Sequence, residues 1–169
     1  MITFEVAWYF SVVIAIAVGG AVTTVANLAT TVYLHRGLSH KALTFSRPAH
    51  GAFRLVLWLT TGIRPRQWVA VHRKHHAHTD TLEDPHSPAI HGWWNVQLKN
   101  YAMYRKVARD NSNTDRFARD LQPDRLDRYL FDRALLGLGV GIAILVVLFG
   151  PLIAAVAALV HLVYYLAAN

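Results

Sequence analysis

Charge-free stretches frame a polar middle in this chain. Residues 6–34 contain no Asp, Glu, Lys or Arg. Wound as α-helix at 1.5 Å per residue, that run is about 40 Å long. The hydrocarbon core of a bilayer is about 30 Å, so the pattern predicts a helix that crosses and projects a turn or two into water. Its second half carries Thr23, Thr24, Asn27, Thr30 and Thr31, which suits a helix leaving lipid or packing on polar neighbours. Two more apolar runs, residues 134–149 and 152–168, flank Gly150-Pro151. Gly-Pro between such runs reads as a tight turn, giving a helical hairpin whose arms are near the lower length limit for spanning.

The middle has its own pattern. Residues 49–63 are apolar but short, and Arg54 interrupts them; this stretch is expected to lie in the interface or to dip in and return. Over residues 93–108, Trp94, Leu98, Tyr101, Tyr104 and Ala108 recur at steps of three and four, with Lys99, Arg105, Lys106 and Arg109 spread around the remaining surface. The spacing fits an amphipathic helix lying on a membrane, and equally a plain surface helix. Residues 110–124 are polar and read as a connector.

Charge sharpens the picture. All 17 Lys and Arg lie between Arg36 and Arg133, and residues 134–169 carry no charge. The formal net charge of +7 therefore belongs to one segment between apolar ends, as in a membrane protein with its positive loop in the cytoplasm. This layout argues against a nucleic-acid partner, which would need its bases on a folded aqueous face. Only 16% of residues are charged, against roughly 25% in ordinary soluble domains. The absence of cysteine excludes disulfides, thiolate zinc sites, iron–sulfur clusters and a Cys nucleophile. The expected fold is an all-α integral membrane protein of about three transmembrane helices with a cytoplasmic His-rich helical region. Residues 1–34 form the first span, 35–133 the cytoplasmic or interfacial segment, and 134–169 the hairpin. Met1 is expected outside and Asn169 on the cytoplasmic side.

Ten His are present, nine of them between His35 and His91. On an ideal helix His72, His75 and His76 fall within an arc of about 100°, so all three rings can face one site. His35 and His40 are about 140° apart and cannot share a face unless the helix ends between them. Gly37 permits such a break. Five neutral imidazoles exceed the three or four ligands of one zinc. Such a set suits iron, copper, zinc or nickel and favours a pair of metals. Asp84, with Asp80 as a second candidate, is expected to orient a ligand His through its other ring nitrogen. His50, His78, His86 and His91 are expected not to be ligands. His161, alone in the last apolar run, matches no ligand pattern.

His35-Arg36-Gly37-Leu38-Ser39-His40 and His72-Arg73-Lys74-His75-His76 resemble the first and second histidine boxes of the membrane-bound fatty acid desaturases, in their acyl-CoA Δ9 (stearoyl-CoA-like) branch. Glu83-Asp84-Pro85-His86 resembles the acidic stretch that follows the second box, and the order of spans, boxes and hairpin is similar too. The family's third box, H-x-x-H-H, has no counterpart here, so the chain resembles the N-terminal portion of such an enzyme. The resemblance implies two iron ions, with His35, His40, His72, His75 and His76 among their ligands. It implies dioxygen and two electrons removing two hydrogens from a fatty acyl-CoA or acyl-lipid to leave a cis double bond. Electrons would come from a reductase through a haem or iron–sulfur protein, and membrane lipid would surround the spans. The residues leave open an acyl hydroxylase of the same architecture, and an inactive fragment or membrane metal-binding protein.

Overall fold

The computed structural model describes residues 2–167, with side chains from Trp8 onward. The positions expected for Met1 and Asn169 lie outside the described residues. Helix α1 spans Ile2–Ala29 and runs without interruption into a π-helical segment, Thr30–Ser39. Then follow α2 (Arg47–Thr60), α3 (Pro65–Ala77), α4 (Pro88–His91), α5 (Trp93–Ala108) and α6 (Asn111–Phe117), a second π segment (Asp127–Phe131), α7 (Ala134–Phe149) and α8 (Pro151–Ala167). All regular structure among the described residues is helical.

The two ends of the chain pack together. α8 lies along α1, close enough that a side chain at Gly19 would strike Val160 and the Ala157 carbonyl. Gly150, at φ +81°, turns the chain between α7 and α8, a backbone angle that only glycine adopts cheaply. α2 lies on α7 with Gly137 and Gly141 against the backbone of Trp58 and Leu59. The indole N–H of Trp58 donates to the Arg133 carbonyl at 3.1 Å. Trp8–Ser39, 32 residues, is long and apolar enough to cross a membrane, whereas α7 and α8 are shorter apolar helices. Large apolar side chains stay exposed on them, including Leu135 at 85% and Val147 at 84%.

Two features of the polar middle differ from expectation. Arg54 does not weaken α2. Its guanidinium reaches both oxygens of Asp124 at 2.8 and 2.9 Å, meets Asp127 at 2.8 Å and lies over the Phe131 ring. The hydrogen bonds from Arg54 hold the Asp124 carboxyl down at about 2, and the network ties α2 to the approach of α7. The connector over residues 110–124 is structured in part. α6 packs on α3, burying Asn113, Thr114 and Ala118.

Candidate metal centre

The site begins where the first long helix changes pitch. The helix does not break at Gly37; it widens. The His40 N–H donates to the His35 carbonyl at 3.0 Å, an i→i+5 bond. In this wider turn residues five apart stack as residues four apart do in an α-helix. The Nε2 atoms of His35 and His40 lie 3.2 Å apart as a result. Gly37 serves packing instead, since a side chain there would strike the Phe45 ring.

α3 supplies the facing pair. His72 and His76, one turn apart, bring their Nε2 atoms to 3.1 Å, and His72 Nε2 is 3.3 Å from His40 Nε2. The ligand atoms of His35, His40, His72 and His76 all lie within 4.8 Å of one another. Trp68, one turn earlier, stacks on His72 with centroids 4.8 Å apart. Arg73 locks the two boxes together. It donates to the carbonyls of Leu38 (2.7 Å), Ser39 (3.2 Å) and Phe117 (2.9 Å) and pairs with Asp120 at 2.7 Å. The otherwise open carbonyls at the end of the first π segment are thereby satisfied.

His75 does not join these four, contrary to the shared face expected from spacing. Its Nδ1 donates to Asp84, 2.9 Å from both oxygens, and its ring stacks on His86 at 4.7 Å. Asp84 is 2% exposed and also accepts backbone N–H groups from Asp80 and His86, each at 3.0 Å. A carboxylate is acceptor-only, so His75 carries a proton on Nδ1. The Asp80 carboxylate accepts the Ser87 hydroxyl. His86 Nδ1 is buried with no hydrogen-bond partner among the described residues.

Electrostatics disfavours the charged form of His35, His72 and His76. Burial first, then the neighbouring imidazoles, pushes His72 down to about 3. The same causes lower His76 and His86. Burial alone would raise the Asp84 carboxyl, but the hydrogen bonds from His75, His86 and Asp80 outweigh it and hold Asp84 below its usual range. Four imidazole Nε2 atoms gathered this closely are a donor set suited to a first-row transition ion. Beside them opens an apolar cavity of about 1170 Å³, with His72, His75 and His86 at one part of its wall and Val22, Leu145 and Ala158 at another.

The fatty acid desaturase family model matches residues 7–169. The chain belongs to the fatty acid desaturase family. It is 30% identical over 106 residues to the sn-1 stearoyl-lipid 9-desaturase of Anabaena variabilis, covering 62% of this chain and 37% of that protein. It is 31% identical over 104 residues to the Delta-9 desaturase-like 5 protein of Arabidopsis thaliana, covering 57% of this chain and 34% of the relative. The acyl-CoA C20 Delta5-desaturase of Anemone leveillei is 40% identical over 65 residues, 38% of this chain and 20% of that protein. The chain thus spans about a third or less of the length of these curated relatives. No solved structure matches it.

Sequence reasoning passed over one polar node of this desaturase chain. His161 on α8 lines the cavity and contacts Thr23 on α1 and Thr60 on α2. The available signal was an ionisable side chain inside an apolar run, which is costly unless partnered.

Proposed function

We propose that this chain is the histidine-box portion of a membrane-embedded diiron desaturase that places a cis double bond in a fatty acyl chain. The observation that carries the reading is four imidazoles converging beside an apolar cavity, in a chain of this family. His35, His40, His72 and His76 would hold one iron. His75, turned away and oriented by Asp84, would serve the second, with further ligands from outside these residues. When bound, the irons supply oxidation of an unactivated carbon chain by dioxygen. In balance, a CH2–CH2 unit, O2, two electrons and two protons give CH=CH and two waters.

The protein's own part is positioning. The cavity takes the acyl chain, its apolar wall excludes water, and Trp68 and Arg73 fix the rings so that the metals and one methylene pair meet in a constant geometry. α1, α7 and α8 would be embedded in lipid, with the N-terminus outside and the boxes on the cytoplasmic side. That reading is supported by the exposed apolar faces of these helices and by the basic residues flanking them. Electrons would arrive from a haem or iron–sulfur carrier and its reductase. The substrate carrier would be CoA or a membrane lipid.

The test is expression of the full-length protein in a host lacking its own desaturase, with the double bond located by mass spectrometry of derivatised lipid. A cis-monoene is expected. Hydroxylated acyl chains in its place, or no product from iron-loaded protein supplied with reductant, would overturn the reading.

A further inference from the structure

α2 ends at an unusual place. Leu59 lies against Gly141, seven residues into α7, about 10 Å along that helix. A helix ending there leaves carbonyls without a next turn to bond, and in an apolar layer each must find a partner within the protein. The Leu57 carbonyl accepts the N–H groups of Thr61 and Gly62, both at 2.9 Å, and the Val56 carbonyl accepts the Thr60 hydroxyl at 2.7 Å. The Thr60 carbonyl is met from another helix. His161 Nε2 lies 2.8 Å away, and because a carbonyl only accepts, the ring donates. The other nitrogen, Nδ1, is 3.0 Å from the Thr23 hydroxyl, which is itself 2.8 Å from the Gly19 carbonyl. One side chain on α8 thus joins the tip of α2 to the middle of α1.

His161, Thr60 and Thr61 line the same cavity as His72 and His75. Thr23 precedes His35 by twelve residues, on the order of 18 Å along the helix. The node therefore shapes wall far from the converging imidazoles. An acyl chain has few polar handles, so its register in an apolar cavity depends on the walls it touches. On the desaturase reading, we infer that His161 is a positioning residue: by pinning the tip of α2 to α1 and α8 it fixes the distal cavity wall and so sets which methylene pair stands at the metal centre.

The test uses the full-length protein with acyl chains of defined length, reading the positions of the double bond and the iron content together. His161→Leu keeps the bulk and removes the donor. It is expected to retain iron and to raise the minor positional isomers about tenfold, a change in scale with ångström-level misplacement. His161→Gln, whose amide can donate to Thr60 and accept from Thr23, is expected to return the isomer ratio to that of the wild type. If His161→Leu does not accumulate, Thr23→Val removes one arm of the node and is expected to give a smaller shift in the same direction. Unchanged isomer ratios in every variant that accumulates would overturn the inference. A wild-type protein making no unsaturated product would instead overturn the desaturase reading beneath it.

Discussion

The two sets of histidines on α3 live by different rules. His72 and His76 join His35 and His40 in a group that contains no carboxylate, where each ring's neighbours are other rings. His75, on the same helix, is bonded to a buried carboxylate and stacked on His86. The first group gathers four ligand atoms within 4.8 Å and could hold a metal ion. The second is a single ring beside a cavity, oriented by the carboxylate it donates to. One short motif, His72 to His76, thus feeds two environments, and what separates them is which partner each ring meets across the fold.

Substitution breaks that comparison most sharply. His72 touches His40, His76 and Trp68, so His72→Ala is expected to weaken cobalt binding at the four-ring site by more than about 100-fold, since loss of outer partners alone costs 10–100-fold. His75→Ala is expected to leave that site's visible absorption and affinity nearly unchanged. Equal losses in both variants would mean that the two groups are one. Next in size is Asp84→Asn, which exchanges one of the two acceptor oxygens facing His75 for an amide donor and removes the charge. Turnover of the full-length protein is expected to fall about 10–100-fold while cobalt spectra of the four-ring site stay as in the wild type.

Acidity separates the groups by smaller amounts. His72 sits at about 3 when folded against an ordinary 6.5. The unfolded chain therefore takes up a proton that the folded chain refuses, and stability falls as pH drops from 6.5 towards 3. The slope from one such group is at most about 1.4 kcal/mol per pH unit. Asp84 runs in a different window. Its pKa is lowered, so its contribution is present above its ordinary 3.8 and disappears only as pH falls through the lower folded value. Thermal melts of metal-free protein in detergent between pH 6.5 and 4 should show the loss in the wild type, a flatter profile in His72→Phe and an unflattened one in Asp84→Asn.

The apolar runs are legible because long charge-free helices and a Gly-Pro turn write themselves into composition. The helix over 93–108 follows from its periodicity, whereas the stretch over 49–63 is marked only as short and apolar. The junction of His35 and His40 was not legible. A five-residue spacing read with a 3.6-residue turn forces a break, and only packing of Gly37 on Phe45 and capping by Arg73 reveal the π turn that brings the rings together. An arc of about 100° permits His75 to share the face of its neighbours, while the choice between faces is made by Asp84, nine residues away. Arg54 read as an interruption because its partners, Asp124 and Asp127, lie some seventy residues on. His161 has no local motif to mark it, because its contacts come from α1 and α2.

The most direct measurement is the iron count per full-length chain in detergent, for the wild type and for His75→Ala. Two irons in the wild type and one in the variant, with the remaining ion lost on His72→Ala, is the result predicted by two separate sites. Two irons retained in His75→Ala, or both lost together with His75 alone, would contradict it.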